Sequence, residues 1–281
     1  MRLITFLLLL LMGCSNSKSD PFEKGKSLGT VSRKLEEASG LAASVRNPGY
    51  FWTVNDSGNP PEVFLIDVNA NIKLTCRLVN ATNRDWEEIR VSTEEETTYL
   101  YVADIGDNEA KYDLKFIYRF EEPLLAEEKE LIVTDMDMLP IELPDGRRDA
   151  EAILIDPLTH DFFLFSKRED SINVYRQSYP LLKDTLLPEK ILRMPLHNIA
   201  SADISVDGKE VLLKNYDNIY YWRRTENETI GELLKRKPIE LSYQPEKQGE
   251  AIAWALDGTG FYTLSESPEK EWAQLKFYKR K

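Results

Sequence analysis

Apolar residues in this chain fall in short runs rich in Val, Ile, Leu, Phe, Tyr and Trp, bounded by Gly, Pro, Asn and Asp. Runs of that length and type form β-strands, because branched and aromatic side chains fit a pleated surface and the flanking residues favour turns. No long apolar pattern with a 3.6-residue period interrupts them; Thr229–Arg236 alone suits a short helix or loop. The pattern predicts an all-β protein.

The strands recur in units. Five segments carry an acidic or small polar motif followed by an aliphatic strand: Glu37-Ala-Ser39-Gly-Leu41, Asp85-Trp-Glu87-Glu-Ile89, Asp149-Ala-Glu151-Ala-Ile153, Ala200-Ser-Ala202-Asp-Ile204 and Gln248-Gly-Glu250-Ala-Ile252. Aligned on residues 39, 87, 151, 202 and 250, they step by 48, 64, 51 and 48. That is the spacing of four-stranded propeller blades. Second strands follow at Tyr50–Val54, Tyr99–Ala103, Phe162–Phe165, Val211–Leu213 and Gly260–Leu264. Third strands follow at Val63–Ile66, Phe116–Phe120, Ile172–Tyr175, Ile219–Trp222 and Leu275–Tyr278. Fourth strands are expected in Ile72–Val79, Leu131–Leu143, Pro188–Pro195 and Lys237–Tyr243.

The fifth unit stops after three strands, while Lys26–Leu35 has no unit of its own. It would supply the missing outer strand and close the ring, which removes exposed sheet edges. The predicted fold is an all-β β-propeller of five four-stranded blades, one domain over 26–281. A sixth blade inside the longest step is the alternative. Leu124–Lys129 and Tyr179–Leu187 read as insertions.

The N-terminus carries different information. Arg2, the apolar run Leu3–Leu11 and Leu11-Met12-Gly13-Cys14 are similar to a bacterial lipoprotein signal, with residues 1–13 removed and Cys14 lipidated. Ser15 after the Cys implies, by that resemblance, outer-membrane sorting in the cell envelope. Residues 14–25 read as a flexible tether. Cys76 is then the one remaining cysteine, in an apolar strand, and is expected to be a packed thiol. A net charge of −12 argues against nucleic acid as a partner. The expected partners are a membrane, through the Cys14 anchor, and an anionic small molecule, with the chain itself a monomer.

Candidate chemistry concentrates in the repeated motif. First strands line a propeller's channel, and residues two apart share a face. The motif therefore stacks two rungs: Ser39, Glu87, Glu151, Ala202 and Glu250, then Glu37, Asp85, Asp149, Ala200 and Gln248. Asp203 stands one residue out of register. Crowded carboxylates raise one another's pKa or take a counter-ion, and Ca²⁺ accepts six to eight oxygen ligands in loose geometry. With only His160 and His197 in the chain, zinc and iron fit poorly. The second-strand ends add Asn55 and Asp56, Asp104 and Asp107, Lys167 and Arg168, and Lys214. Acids on one side and bases on the other suit a phosphate-bearing ligand. Arg147 and Arg148 stand beside that basic side. The same acidic segments are also good turn sequences, and first-strand carboxylates can simply tie blades together. No nucleophile elbow, phosphate-binding loop or dinucleotide fingerprint occurs.

Four motifs, Ala38-Ser-Gly-Leu41, Asn55-Asp-Ser-Gly58, Asp85-Trp-Glu-Glu-Ile89 and Asp104-Ile-Gly-Asp-Asn108, resemble those of a group of bacterial propeller lipoproteins of unassigned activity. The chain is more distantly similar to calcium-activated nucleotidases (apyrases), which are five-bladed, and in style to phytase-like and gluconolactonase-like propellers. In place of the apyrase Asp-Asp-Arg-Thr-Gly turn stands Asn55-Asp-Ser-Gly58, without the arginine. The expected function is a Ca²⁺-dependent phosphoester or phosphoanhydride hydrolase. Glu87, Glu151, Glu250 and Asp149 would be catalytic, Asp85, Asp56, Asp104 and Asp107 would hold the metal, and Lys167, Arg168, Lys214 and Asn55 would bind substrate. The rival readings are a non-catalytic envelope scaffold for a protein or glycan, and a Ca²⁺-dependent glycosidase or lactonase.

Overall fold

A computed structural model describes residues 20–182, 184–267 and 272–281. Cys14 and the expected signal segment 1–13 lie outside the described residues. Five sheets, antiparallel apart from one parallel pair in the first, stand in a ring. Their innermost strands are Ala38–Ala43, Trp86–Glu94, Ala150–Ile155, Ser201–Ile204 and Ala251–Trp254, and each contacts the next, the last returning to the first. The sixth-blade alternative is thereby excluded. Gln274–Lys279 pairs with Lys26–Thr30, so the N-terminal strand completes the fifth blade as expected. Phe22 bridges Arg280 and is buried against Tyr221, Trp254 and Phe261, so the described chain is docked on the ring from its first residues, including part of the 14–25 segment expected as a tether.

The apolar faces of adjacent sheets pack into five clusters, one between each pair of blades. Trp52, Trp86 and Trp254 are among the largest buried side chains there. Cys76 is fully buried in its strand and burial pushes its thiol up to about 12, as a packed thiol requires. The helix within Thr229–Arg236 is Ile230–Leu233, held by a Thr229–Glu232 capping box.

The expected fourth strand Leu131–Leu143 divides in two. Asp137–Glu142 completes the second blade, but Glu130–Val133 crosses over and pairs in parallel with Ile72–Leu78 as a fifth strand of the first. A buried acid reinforces this clasp. Glu122 accepts from the Trp52 indole at 2.7 Å, from Ser44 at 2.5 Å and from the Arg46 amide at 3.0 Å, all in blade one.

The channel is not open from end to end. Arg90, 3% exposed, lies across it and donates to each innermost strand in turn. It reaches the carbonyls of Leu41 (2.5 Å), Ile89 (2.9 Å), Ile153 (3.3 Å) and Ile252 (3.3 Å), and the Ser201 hydroxyl (3.0 Å). Its counter-ion is Glu88, fully buried at 2.6 Å, which also accepts from Ser201 at 2.7 Å. A β-bulge at Glu87 makes this possible: Trp86 pairs with Asp104 but Glu88 with Ala103. The extra residue breaks the two-residue alternation, so Glu87 and Glu88 both serve the channel. Asp203 belongs here too, 3.9 Å from Arg90, rather than completing an acidic rung.

Removing one partner of a buried pair strands the other's charge. Arg90→Met should therefore lower the free energy of unfolding by ~3–5 kcal/mol in urea titration. Glu88→Leu combined with Arg90→Met should recover most of that loss. Equal loss in the double variant would mean that the arginine acts through its carbonyl contacts alone.

Candidate functional site

One end of the ring is acidic. There a residue one or two positions past a second strand donates its amide to the carbonyl of a residue just ahead of the first strand of its own blade. The bonds run from Asp56 to Glu37 (2.8 Å), Gly106 to Asp85 (3.1 Å), Lys167 to Asp149 (3.1 Å) and Glu266 to Gln248 (3.0 Å). Asp56, Gly106, Lys167 and Glu266 are thus equivalent positions, and their differences give the mouth its character. Blade two offers only a glycine, and that absence matters. A Cβ at Gly106 would stand 2.3 Å from both Asp85 Oδ2 and Glu87 Oε1, so the missing side chain leaves space for two carboxylates.

Asp56, Asp85 and Glu87 form the densest acid group, with one oxygen of each within 4.8 Å of the others. Among the described residues no Lys or Arg forms an ion pair with any of the three. Burial, with Glu151, Asp56, Glu250 and Asp85 around it, pushes Glu87 far above the usual carboxylate range. Burial first, with Asp85 and Glu250 adding to it, raises Asp56 to about 7. Burial also raises Asp85, with Asp149 adding to it. Across the mouth, burial and Glu250 raise Glu266 to about 9. Three oxygens gathered without a basic partner are the donor set a hard cation prefers.

Elsewhere in the mouth two acids have basic partners. Lys167 contacts Glu151 and donates to Tyr216 at 2.8 Å, and Tyr216 donates to Glu250 at 2.7 Å. Burial alone would favour a neutral pair, but the contact with Glu151 outweighs it and holds the Lys167 ammonium above its usual range. Arg168 donates to Asp149 at 2.7 Å and also contacts Asn108; about half of its side chain is exposed. Tyr216 was not anticipated: it lies in an Asn-Tyr-Asp turn and has no counterpart in the other blades.

Several expected residues stand elsewhere. Asp104 accepts the Asp85 amide at 2.9 Å and faces Arg84 at 3.7 Å. Asp107 accepts the amides of Lys111 (2.7 Å) and Tyr112 (3.0 Å). Both are committed to turn formation, so neither joins the triad as a metal ligand. Lys214 is fully buried, donates to the Gly249 carbonyl and lies 4.9 Å from the Tyr243 ring; burial lowers it to about 8. It does not reach the mouth. Asn55 donates its Nδ2 to the Lys34 carbonyl at 2.6 Å, while its Oδ1 is buried without a hydrogen-bond partner. Arg147 and Arg148 pair with Asp113 and Glu169.

No protein-family model matches the chain, and no curated protein matches it by sequence. Solved structures similar in fold include the RRP9 WD40 repeats, at 12% identity and TM-score 0.42 over 87% of this chain and 67% of that one. U3-55K, at 12% and 0.41, covers 86% and 67%, and the Dos1 propeller, also at 12% and 0.41, covers 86% and 68%. By its own strand order the chain is a five-bladed β-propeller with an acidic mouth.

Carboxylates raised by folding hold protons that the unfolded chain releases. Folding then takes up protons, and stability falls as pH rises from the ordinary range near 4 through the raised values. Without divalent cations, Tm should be about 5 °C lower near pH 8 than near pH 5 by circular dichroism. A Tm that rises over that interval would mean that the acids are not crowded together.

Proposed function

We propose that the acidic mouth binds Ca²⁺ through Asp56, Asp85 and Glu87, and that the protein is a lipid-anchored, Ca²⁺-dependent hydrolase of a phosphoester or phosphoanhydride. The observation that carries this reading is the unpaired triad pressed against Gly106. A bound cation would supply a polarised water and charge neutralisation for a phosphate. Arg168, half exposed, and Lys167 beside it are placed to orient the anionic group. Glu250, which accepts the Tyr216 hydrogen bond, is the general base of this reading. Glu151 and Asp149 act through Lys167 and Arg168, whose positions they fix. Cys14 as the lipidated residue, and the outer membrane of the cell envelope as the location, belong to the same reading.

One observation favours a second reading, a non-catalytic envelope scaffold that binds a protein or glycan. The basic groups meant for substrate already have carboxylate partners, so that part of the mouth satisfies itself.

Two measurements separate them. Calorimetric titration should show one Ca²⁺ per chain, with affinity falling as pH drops below about 7, where Asp56 regains its proton. Asp85→Asn and Gly106→Ala should each weaken binding at least ~10-fold, the second by filling the space between ligands. On a panel of nucleotides and phosphoesters, Ca²⁺-dependent release of phosphate should be lost in Glu87→Gln. Ca²⁺ binding without turnover on any substrate would leave the scaffold reading; no binding at all would end the metal reading.

A further inference from the structure

The opposite mouth of the ring differs in kind. Below Arg90 lies a cavity of about 280 Å³, lined by Ala42, Ile155, Ile204 and Trp254. Its rim is made by turns between first and second strands, and these carry exposed aliphatic side chains: Val45 at 39%, Leu158 at 59%, Val206 at 58% and Leu256 at 36%. They come from four different blades. Gly208 lies directly against Leu158, which joins the rims of blades three and four. Isolated exposed apolar residues are ordinary, but a ring of them around one mouth is not. Among the described residues of the acidic mouth, Ser57, Glu109 and Arg168 are exposed, and the exposed apolar groups are two aromatics in its outer turns, Tyr112 and Trp272, rather than aliphatic side chains.

The first described residues lie toward this same apolar end. Phe22 bridges Arg280, and Arg280 donates to the carbonyl of Gly258, in the turn that carries Leu256. Five residues separate Asp20 from Cys14. Fully extended, that segment spans roughly 20 Å. A lipid held at Cys14 would keep the ring within that distance of the bilayer. Four aliphatic side chains alone bind a membrane weakly, but a short tether raises their effective concentration at the surface. The rim also carries exposed Glu95, Glu96, Asp207 and Asp257, which disfavour an anionic surface.

We propose that the rim formed by Val45, Leu158, Val206 and Leu256 seats the propeller on a zwitterionic bilayer, so that the acidic mouth opens away from the membrane. This rests on the Cys14 anchor but not on the metal or on catalysis. The orientation decides which ligands reach the triad: soluble ones, arriving from the aqueous side, rather than lipid headgroups in the anchoring leaflet.

The test uses the lipidated full chain on phosphatidylcholine vesicles. Nitroxide labels are placed at Leu158→Cys, Val206→Cys and Glu109→Cys, the last at the acidic mouth; buried Cys76 stays unlabelled. Flotation reads the anchor, and Cys14→Ala should abolish it. The labels read orientation. Labels at 158 and 206 should relax several-fold more with dissolved oxygen than with a water-soluble nickel chelate, and the label at 109 should show the reverse. Equal nickel accessibility at all three positions on floated protein would overturn the seating while leaving the anchor standing. Wild-type protein that fails to float would overturn both.

Discussion

One guanidinium ties the ring together. The innermost strands of a propeller turn carbonyls toward an axis where no further strand can pair with them, and buried acceptors left without donors are costly. Arg90 answers this with five N–H groups in a planar fork, reaching all five strands at once. A lysine, with one point charge and three donors, could not match that spread. Because the plug blocks the channel, it also makes two mouths of what would otherwise be one pore.

The two mouths then diverge through local sequence. At one, the Asp-x-Glu motif and the equivalent second-strand ends crowd carboxylates, and Gly106 lets two of them approach the backbone. Part of that charge is answered from within, by Lys167 and Arg168, and part is not. The unanswered part is where burial works against ionisation and a cation would reverse the balance. At the other mouth four of the five turns carry an exposed aliphatic side chain, and the first described residues lie beside one of them. The two ends of the ring therefore differ, one charged and one with an aliphatic rim.

Interblade clasps hold the sectors in register. Glu122 leaves blade two to receive the Trp52 indole and the Ser44 hydroxyl, and Glu130–Val133 adds a parallel strand to the neighbouring sheet. With closure by Lys26–Thr30, these distribute long-range contacts around the ring instead of leaving each blade to its own small core.

The repeat of acid, small residue and aliphatic strand was enough to establish five blades, their innermost strands and the closing strand, because strand alternation and turn chemistry are local properties. It was also enough to bring Asp85, Glu87, Glu151 and Glu250 to one mouth. It did not reveal that Asp104 and Asp107 are consumed by nearby amides, or that Lys214 turns into the core, since partners far along the chain or across a turn decide each case. Nor did it single out Arg90 or Tyr216, which have no counterparts in other blades and so leave no mark in a periodic pattern. The deepest difference lies at the bulge beside Glu87: a single extra residue overrides the two-residue alternation and gives Glu88 to the plug. Strand period is written in the chain, but a bulge exists only once two strands have paired.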